Sequence, residues 1–451
     1  MDGQRKAGAR ALRRLRSARG WSWTDLAKCL RDHARELRMT RIAAAQVASI
    51  RRTVARWEEG SSVPDEQYQM LLAPTYARTV LGSVSLGPGS DFRELLEALS
   101  MLGVEQSRLD ELCAVTMAAV TDQGTSLLTF LCVPQRAELA ATLADPNALD
   151  IPVVDGLGAA ADAVNEQIGG VPFVRLRLAA TAIVDACRFL LAGERPSPVR
   201  DRLEAVAART FALAGRLAFE THDDDAALAL YDDAVLAAGA GDPSRRALIR
   251  TSQTMVTYYA TGSVDRARRL ADAAVRDARR GDSILMRARA HALRAEMAAR
   301  SEPVRHRQAQ AALHMARHDL DGDTVGDPMA DVFSHGRLRG FEGVCGIFLG
   351  EAEAAGQQLA ASAATLTQSR KSVQRAIVLT DRALARLYAD DVGGPVAAVE
   401  QLHECVDLTA RVRGQVPAQR LRHVRLELRP WRHEGFVSDL DDHIHGTMIG
   451  M

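Results

Sequence analysis

Lysine is nearly absent from this sequence. Of 57 basic residues only Lys6, Lys28 and Lys371 are not arginine, a bias so complete that it reads as genome composition and carries no functional signal by itself. Aromatic residues make up 4% of the chain while alanine is abundant, which favours closely packed helices over strands. The six cysteines (Cys29, Cys113, Cys132, Cys187, Cys345 and Cys405) form no CxxC pair and do not cluster. That spacing excludes a disulfide framework or a zinc ribbon, and it predicts buried free thiols in a reducing compartment. The charged N-terminus has no apolar signal core, and no run of about 18 apolar residues occurs. A membrane partner is therefore not expected, and a cytoplasmic protein is.

What is present is globular in balance. Hydrophobic residues are 47% and charged residues 25% of 451 positions, too long a chain for one compact core, so two or more domains are expected. The formal net charge of zero conceals an asymmetry. Residues 1–60 hold 15 Lys/Arg against 6 Asp/Glu, and the rest of the chain carries the compensating acidic excess. A basic head on an acidic body suits phosphate binding, because neutralising phosphates releases counterions; a solvated basic surface or an acidic partner fits the charge equally well.

Within the head, a first helix is predicted near residues 7–19, with Leu12 and Leu15 inward and Gly20 as its stop. Ser22 can cap a second helix that carries Leu26, Ala27 and Leu30. The third segment, 41–59, is the informative one. Val47, Ile50, Val54 and Trp57 recur at steps of three and four and so make one apolar stripe. Arg52 and Arg56 fall almost opposite that stripe and Arg51 on its flank, while Ala48 and Ala55 keep the outer face free of bulk. Gly60 and Pro64 end the helix. Such a helix can approach base edges in a major groove, where arginine reads guanine bidentately; a solvated surface helix has the same pattern.

The run RRLRSARGWSWTDLA, followed by SIRRTVARWEEGSSVP and MLLAPTY, resembles the phage-repressor-like (XRE/Cro-type) helix-turn-helix family over about 65 residues. The resemblance implies double-stranded DNA as partner, with Arg51 and Arg52 at the first base-reading positions and Arg56 at the later one. It makes Ser49 and Thr53 phosphate or cap contacts and Trp57 the core anchor. Two departures stand out. Trp23 replaces the family's usual glutamine, and CLRDHARELRMTRIAAAQVA stands where the family has a short turn. The insert adds Arg31, Arg35, Arg38 and Arg41, and Arg41 joins the DNA-binding candidates.

Residues 79–91, rich in Gly, Ser and Pro, read as a linker, so residues 1–78 form the head. Residues 92–205 read as a helical connecting region without an evident repeat. From about 206 to 430 a period of 40 to 46 residues appears: Ala227, Ala267, Ala309, Ala355 and Ala398 form a ladder. Seven positions later stand Ala234, Ala274, Ala316, Ser362 and Cys405, all small; four positions later come Tyr231, Ala271, Leu313, Leu359 and Leu402. Gly262, Gly350 and Gly393 precede three of the ladder alanines by five. Helix pairs need small residues where axes approach, larger ones on the flank and a breaker at the turn. The pattern resembles tetratricopeptide repeats, so the expected fold is all-α: a helix-turn-helix domain, then an α-solenoid of tetratricopeptide-like helix pairs, with 431–451 as a C-terminal tail. Solenoids hold peptides, small molecules or proteins in a groove; Arg250, Tyr258, Arg287 and Arg294 are the groove candidates.

Head and body together resemble actinobacterial helix-turn-helix regulators with tetratricopeptide-like bodies, a group linked to negative control of sporulation and antibiotic production. That resemblance implies a nucleoid-associated transcription regulator, a repressor of secondary metabolism or development, acting as a homodimer on two-fold sites. A repeat scaffold with a non-specific basic head is the alternative.

Enzyme motifs are weak. Gly156-Leu-Gly158-Ala-Ala-Ala161 follows an apolar run, but Pro152 interrupts the would-be strand. His314 and His318 lack the glutamate of a metalloprotease helix, and His443 and His445 are a similar surface pair. The run DGDTVGD has Val332 where an EF-hand needs glutamate. No catalytic residue, cofactor or metal site is expected.

Overall fold

The computed structural model describes residues 2–79, 82–121, 141, 144, 149–171, 173–194, 197–239, 241–368, 371–389 and 393–448. Cys132 and much of the middle of the connecting region lie outside the described residues. Among the described residues the chain is all-helical, with no β-strand and no helix long and apolar enough to cross a membrane.

The head contains α1 (Asp2–Ala18), α2 (Trp23–Glu36), a single turn α3 (Thr40–Ala43), α4 (Val47–Glu59) and α5 (Glu66–Ala77). Its core does not stop at residue 78. After the 79–91 segment, α6 (Asp91–Met101) packs on α1, and α7 (Gln106–Thr121) packs on α5, so Phe92, Leu95, Leu99 and Leu112 share one apolar cluster with Leu15, Leu30 and Trp57. Two further helices, α8 (Ile151–Glu166) and α9 (Phe173–Leu191), lead into the stack. The Gly156/Gly158 motif lies inside α8, capped by the Asp150 carboxylate on the Val153 amide; the proline that would break a strand here sits harmlessly in a helix's first turn.

Five helix pairs follow: α10 (Ser197–Glu220) with α11 (Asp224–Ala238), α12 (Pro243–Thr261) with α13 (Val264–Ala278), α14 (Ile284–Ala299) with α15 (His306–Leu320), α16 (His335–Leu349) with α17 (Ala352–Ala364), and α18 (Ser372–Tyr388) with α19 (Gly394–Val412). The first helices of successive pairs pack in one row. Every ladder alanine falls in a second helix and is buried, as are the five small residues seven positions on. Of the flanking set only Leu313 is less than fully buried. Gly262 and Gly350 take the left-handed conformation at helix C-termini, with φ of 64° and 81°, where glycine carries no steric penalty. Gly393 does not: it opens α19 at φ −91°.

After the fifth pair the stack changes course. The helix α20 (Gln415–Glu427) packs on α18, and its N-terminal end reaches back to α10, while α21 (Gly435–Thr447) packs on α19. The segment 431–451 therefore supplies a helix as well as a tail.

Head and solenoid meet at a buried ion pair. Asp223 caps α11, accepts from Arg177 Nη2 at 2.5 Å, and accepts from the Arg41 backbone amide at 3.1 Å. The side chains of Arg177 and Asp223 are 6% and 1% exposed, so the pair is dry. The joint is extended by Gln67 on the Thr221 carbonyl and by Arg413 on Glu66 at 2.9 Å.

The ladder makes one sharp demand. A Cβ at Gly343 on α16 would sit 2.4 Å from Leu359 Cγ and 3.0 Å from the Ala355 carbonyl, whereas one at Gly356 on α17 meets nothing within 4 Å. Alanine normally gains about 1 kcal/mol over glycine in a helix, but overpacking costs about 1–3 kcal/mol. Gly356→Ala is thus expected to raise the urea midpoint and Gly343→Ala to lower it; shifts of the same sign would show that α16 and α17 do not approach this closely.

Candidate functional site

The local structure of the head follows from capping. Ser22 and Asp25 form a reciprocal capping box, with the Asp25 amide on Ser22 Oγ at 3.2 Å and the Ser22 amide on Asp25 Oδ2 at 2.9 Å. Gly60, at φ 76°, closes α4 in the left-handed conformation. Between these points α4 presents two faces. Ile50, Val54 and Trp57 are buried against α1 and α2, and Trp57 packs edge-on to Tyr68 with ring centroids 4.9 Å apart. On the other side Ala48, Ser49, Arg51, Arg52 and Arg56 are exposed and Thr53 is half-buried. Thr53 Oγ1 donates to the Ser49 carbonyl, and Arg56 Nη2 reaches Thr53 Oγ1 at 3.4 Å. Among the described residues, Arg51, Arg52 and Arg56 form no ion pair with a carboxylate.

Two other arginines of the head, Arg16 and Arg19, turn inward, whereas Arg10, Arg13, Arg14, Arg35 and Arg38 are exposed. Arg16 donates to both oxygens of Glu58 at 2.7 and 2.8 Å, with side chains 10% and 3% exposed. The Trp23 indole donates to the same Glu58 carboxylate at 2.8 Å, and the Arg16 guanidinium lies over the Trp23 ring. This knot ties α1, α2 and the end of α4 together, and hydrogen bonding to Glu58 raises the Arg16 pKa from its ordinary value. Trp23, 38% exposed, thus braces the knot from its solvent side. Arg19 lies between Trp21 and Tyr76, pairs with Asp91 at 2.7 Å, and donates to the Thr75 and Arg78 carbonyls. The Arg16 and Arg19 guanidinium groups are both taken up by contacts within the protein.

The insert after α2 has a defined job. It lengthens α2 to Glu36, turns at Arg38 (φ 53°), adds α3, and lays α3 on α11 of the solenoid. The Arg38 carbonyl accepts from Arg177, and the Arg38 side chain lies 3.5 Å from Asp185. Arg41 belongs to this joint: its guanidinium donates to Asp65 and Gln67 at 3.1 Å each and lies over Tyr68. The structure therefore gathers Ser49, Arg51, Arg52, Thr53 and Arg56 on one helix and holds Arg41 in the head–body contact. Because the solenoid packs through α3 and α5, the outward face of α4 stays open.

Each of the four groove candidates is engaged in an intramolecular contact of its own. Arg250 pairs with Asp277 at 2.8 Å, Arg287 with Asp319 at 3.5 Å and Arg294 with Asp272 at 3.9 Å, each linking a first helix to a second. Tyr258 accepts from Arg300 at 3.2 Å. Near Arg287 and Arg294, burial pushes the His291 imidazole down to about 4, with those arginines and Arg279 adding to the shift.

Instead, α20 crosses the row of first helices. Arg420 on α20 donates to the Tyr259 hydroxyl at 2.5 Å, to Glu296 at 3.3 Å and to Asp381, reaching α12, α14 and α18 from one side chain. All three charged groups are buried. Burial raises the Asp381 carboxyl, and Arg420 and Arg300 draw it back. Arg300 continues the network to Glu296 at 2.9 Å and stacks over Tyr258 and Phe348. No spacing rule links residues 259, 296, 381 and 420, so the sequence pattern gives no sign of this cluster.

The weaker motifs resolve locally. His314 and His318 are exposed on α15, and no group of three metal-ligating side chains occurs among the described residues. His443 stacks on His403 and bonds Asp407 at 2.9 Å, so it differs from exposed His445. Asp327 of the DGDTVGD run accepts from Ser283 Oγ and the Leu285 amide at the start of α14. Burial pushes the Cys187 and Cys405 thiols up to about 12, which keeps them protonated at neutral pH. Comparison with family models, curated proteins and solved structures finds no match, so the functional reading rests on these residues.

Removing one partner of a buried ion pair typically costs about 3–5 kcal/mol, and an exposed pair about 0–1 kcal/mol. Glu58→Ala is accordingly expected to destabilise the head severely, whereas Glu94→Ala, which breaks the exposed 3.5 Å pair with Arg14, is expected to change the unfolding midpoint little. Equal effects in differential scanning calorimetry would remove the knot from its structural role.

Proposed function

We propose that this chain is a DNA-binding transcription regulator of the XRE/Cro helix-turn-helix kind, with a tetratricopeptide-like body. The observation that carries the reading is the state of α4: Arg51, Arg52 and Arg56 stand exposed, with no acidic partner among the described residues, on a helix that Ile50, Val54 and Trp57 lock to the head. Around them Arg16, Arg19 and Arg41 are committed to internal contacts. Small Ala48 and Ser49 at the start of α4 allow close approach to base edges. In this reading Arg52 and Arg56 read bases, Arg51 reads or flanks them, and Ser49 and Thr53 contact phosphate. Two-fold operators and a homodimer complete the proposal, and repression of secondary metabolism or development rests on the family resemblance alone.

The helix pairs favour a second reading, a protein-interaction scaffold whose basic head binds nucleic acid without preference. Binding of the full chain to duplexes selected from a random pool, measured by anisotropy across salt concentrations, separates the two. A regulator is expected to retain a preferred site, with Arg52→Ala costing roughly 1–3 kcal/mol there and relaxing selectivity at one base pair. Uniform weak binding to every duplex, with a loss on Arg52→Ala that ignores sequence, would support the scaffold instead.

A further inference from the structure

A cleft of about 620 Å³ lies between the head and the two C-terminal helices. Val63, just beyond α4, lines it together with Leu421 and Leu426 of α20, Ile444 of α21 and Met448 at the end of α21. Leu426 is 55% exposed, an apolar side chain left open to solvent inside a concave site. The charged lining is unbalanced. Arg425 is held by Asp441, the only acidic side chain of the lining. Arg5 of α1 and Arg422 of α20 form no ion pair among the described residues, and Arg5 Nε is shut off from solvent with no hydrogen-bond partner.

A buried donor without an acceptor costs stability and calls for an explanation. Guanidinium groups keep their proton and only donate, so the acceptor that complements them best is an anion. A carboxylate offers two oxygens to such forks, and the apolar wall favours a hydrocarbon body by roughly 25 cal/mol per Å² removed from water. The volume falls in the range of small-molecule sites, on the order of 300–1,000 Å³.

We propose that this cleft binds a free amphipathic organic acid, its carboxylate on Arg5 and Arg422 and its chain against Leu421, Leu426, Ile444 and Met448. The ligand bridges α1 of the head to α20 and α21, at a place distinct from the row of first helices that Arg420 already fills. The site stands whether or not α4 reads DNA, since its test uses no nucleic acid.

Decanoate is the probe, with decanol as the uncharged chain of equal length and acetate as the charge without a chain. Calorimetric titration of the full chain is expected to show one saturable decanoate site, with decanol and acetate weaker by about tenfold or more. Arg422→Gln changes an exposed side chain and is expected to weaken decanoate by about tenfold while leaving decanol unchanged; Arg5→Gln should act alike. Bound decanoate should slow amide exchange in α1, α20 and α21. Decanol binding as tightly as decanoate, arginine variants without effect, or protection confined to α11–α15 would each overturn the proposal.

Discussion

Asp223 caps α11, neutralises Arg177, and receives the backbone amide of Arg41 from the head's insert, so one carboxylate stands at the centre of the contact between head and body. With the two side chains 1% and 6% exposed, neither charge can fall back on water, and the contact holds only while all partners keep their geometry. Loss of one partner leaves an uncompensated charge in a dry joint. The same carboxylate thus terminates a turn of the solenoid, orders α9 against it, and fixes the insert that leads into α4. The outer face of α4 stays exposed, since α4 packs on α1 and α2 while α3 and α5 contact the body.

Arginine dominates the electrostatics of the whole molecule, and burial divides it into two populations. Arg16, Arg19, Arg177, Arg300 and Arg420 are enclosed by carboxylates, carbonyls and aromatic rings, and they hold elements together. Their planar forks suit this, since each can satisfy several acceptors at once. Among the described residues Arg51, Arg52 and Arg56 have no such partners and carry the functional reading, while Arg5 and Arg422 line the cleft proposed to take a carboxylate. Counting charges along the sequence overstates the basic surface of the head, since Arg16 and Arg19 are consumed within it.

Local patterns are legible in the sequence alone. The stripe through Ile50, Val54 and Trp57 needs only helical periodicity, and the alanine ladder needs only that paired helices approach closely at a fixed interval; both are properties of a few neighbouring turns. Long-range electrostatics is not legible in this way. Nothing in the spacing of Arg420 from Tyr259, Glu296 and Asp381 reveals that α20 crosses the row of first helices, and nothing in Arg250 or Arg287 reveals a carboxylate one helix away. The insert is visible as added length, but its docking on α11 depends on Asp223, 182 residues after Arg41 in the chain. Trp23 reads as a missing polar contact and proves to be a strut for Glu58.

The outward face of α4 is the surface proposed to meet DNA, and a photo-crosslinking side chain at exposed Ala48 tests this directly. The same group at Leu236 on α11, 80% exposed, is the comparison. With full-length protein on a duplex selected from a random pool, position 48 is expected to capture DNA at a defined base step and position 236 to capture none. Equal capture at both positions, or capture only from the solenoid, would mean that a different surface meets DNA.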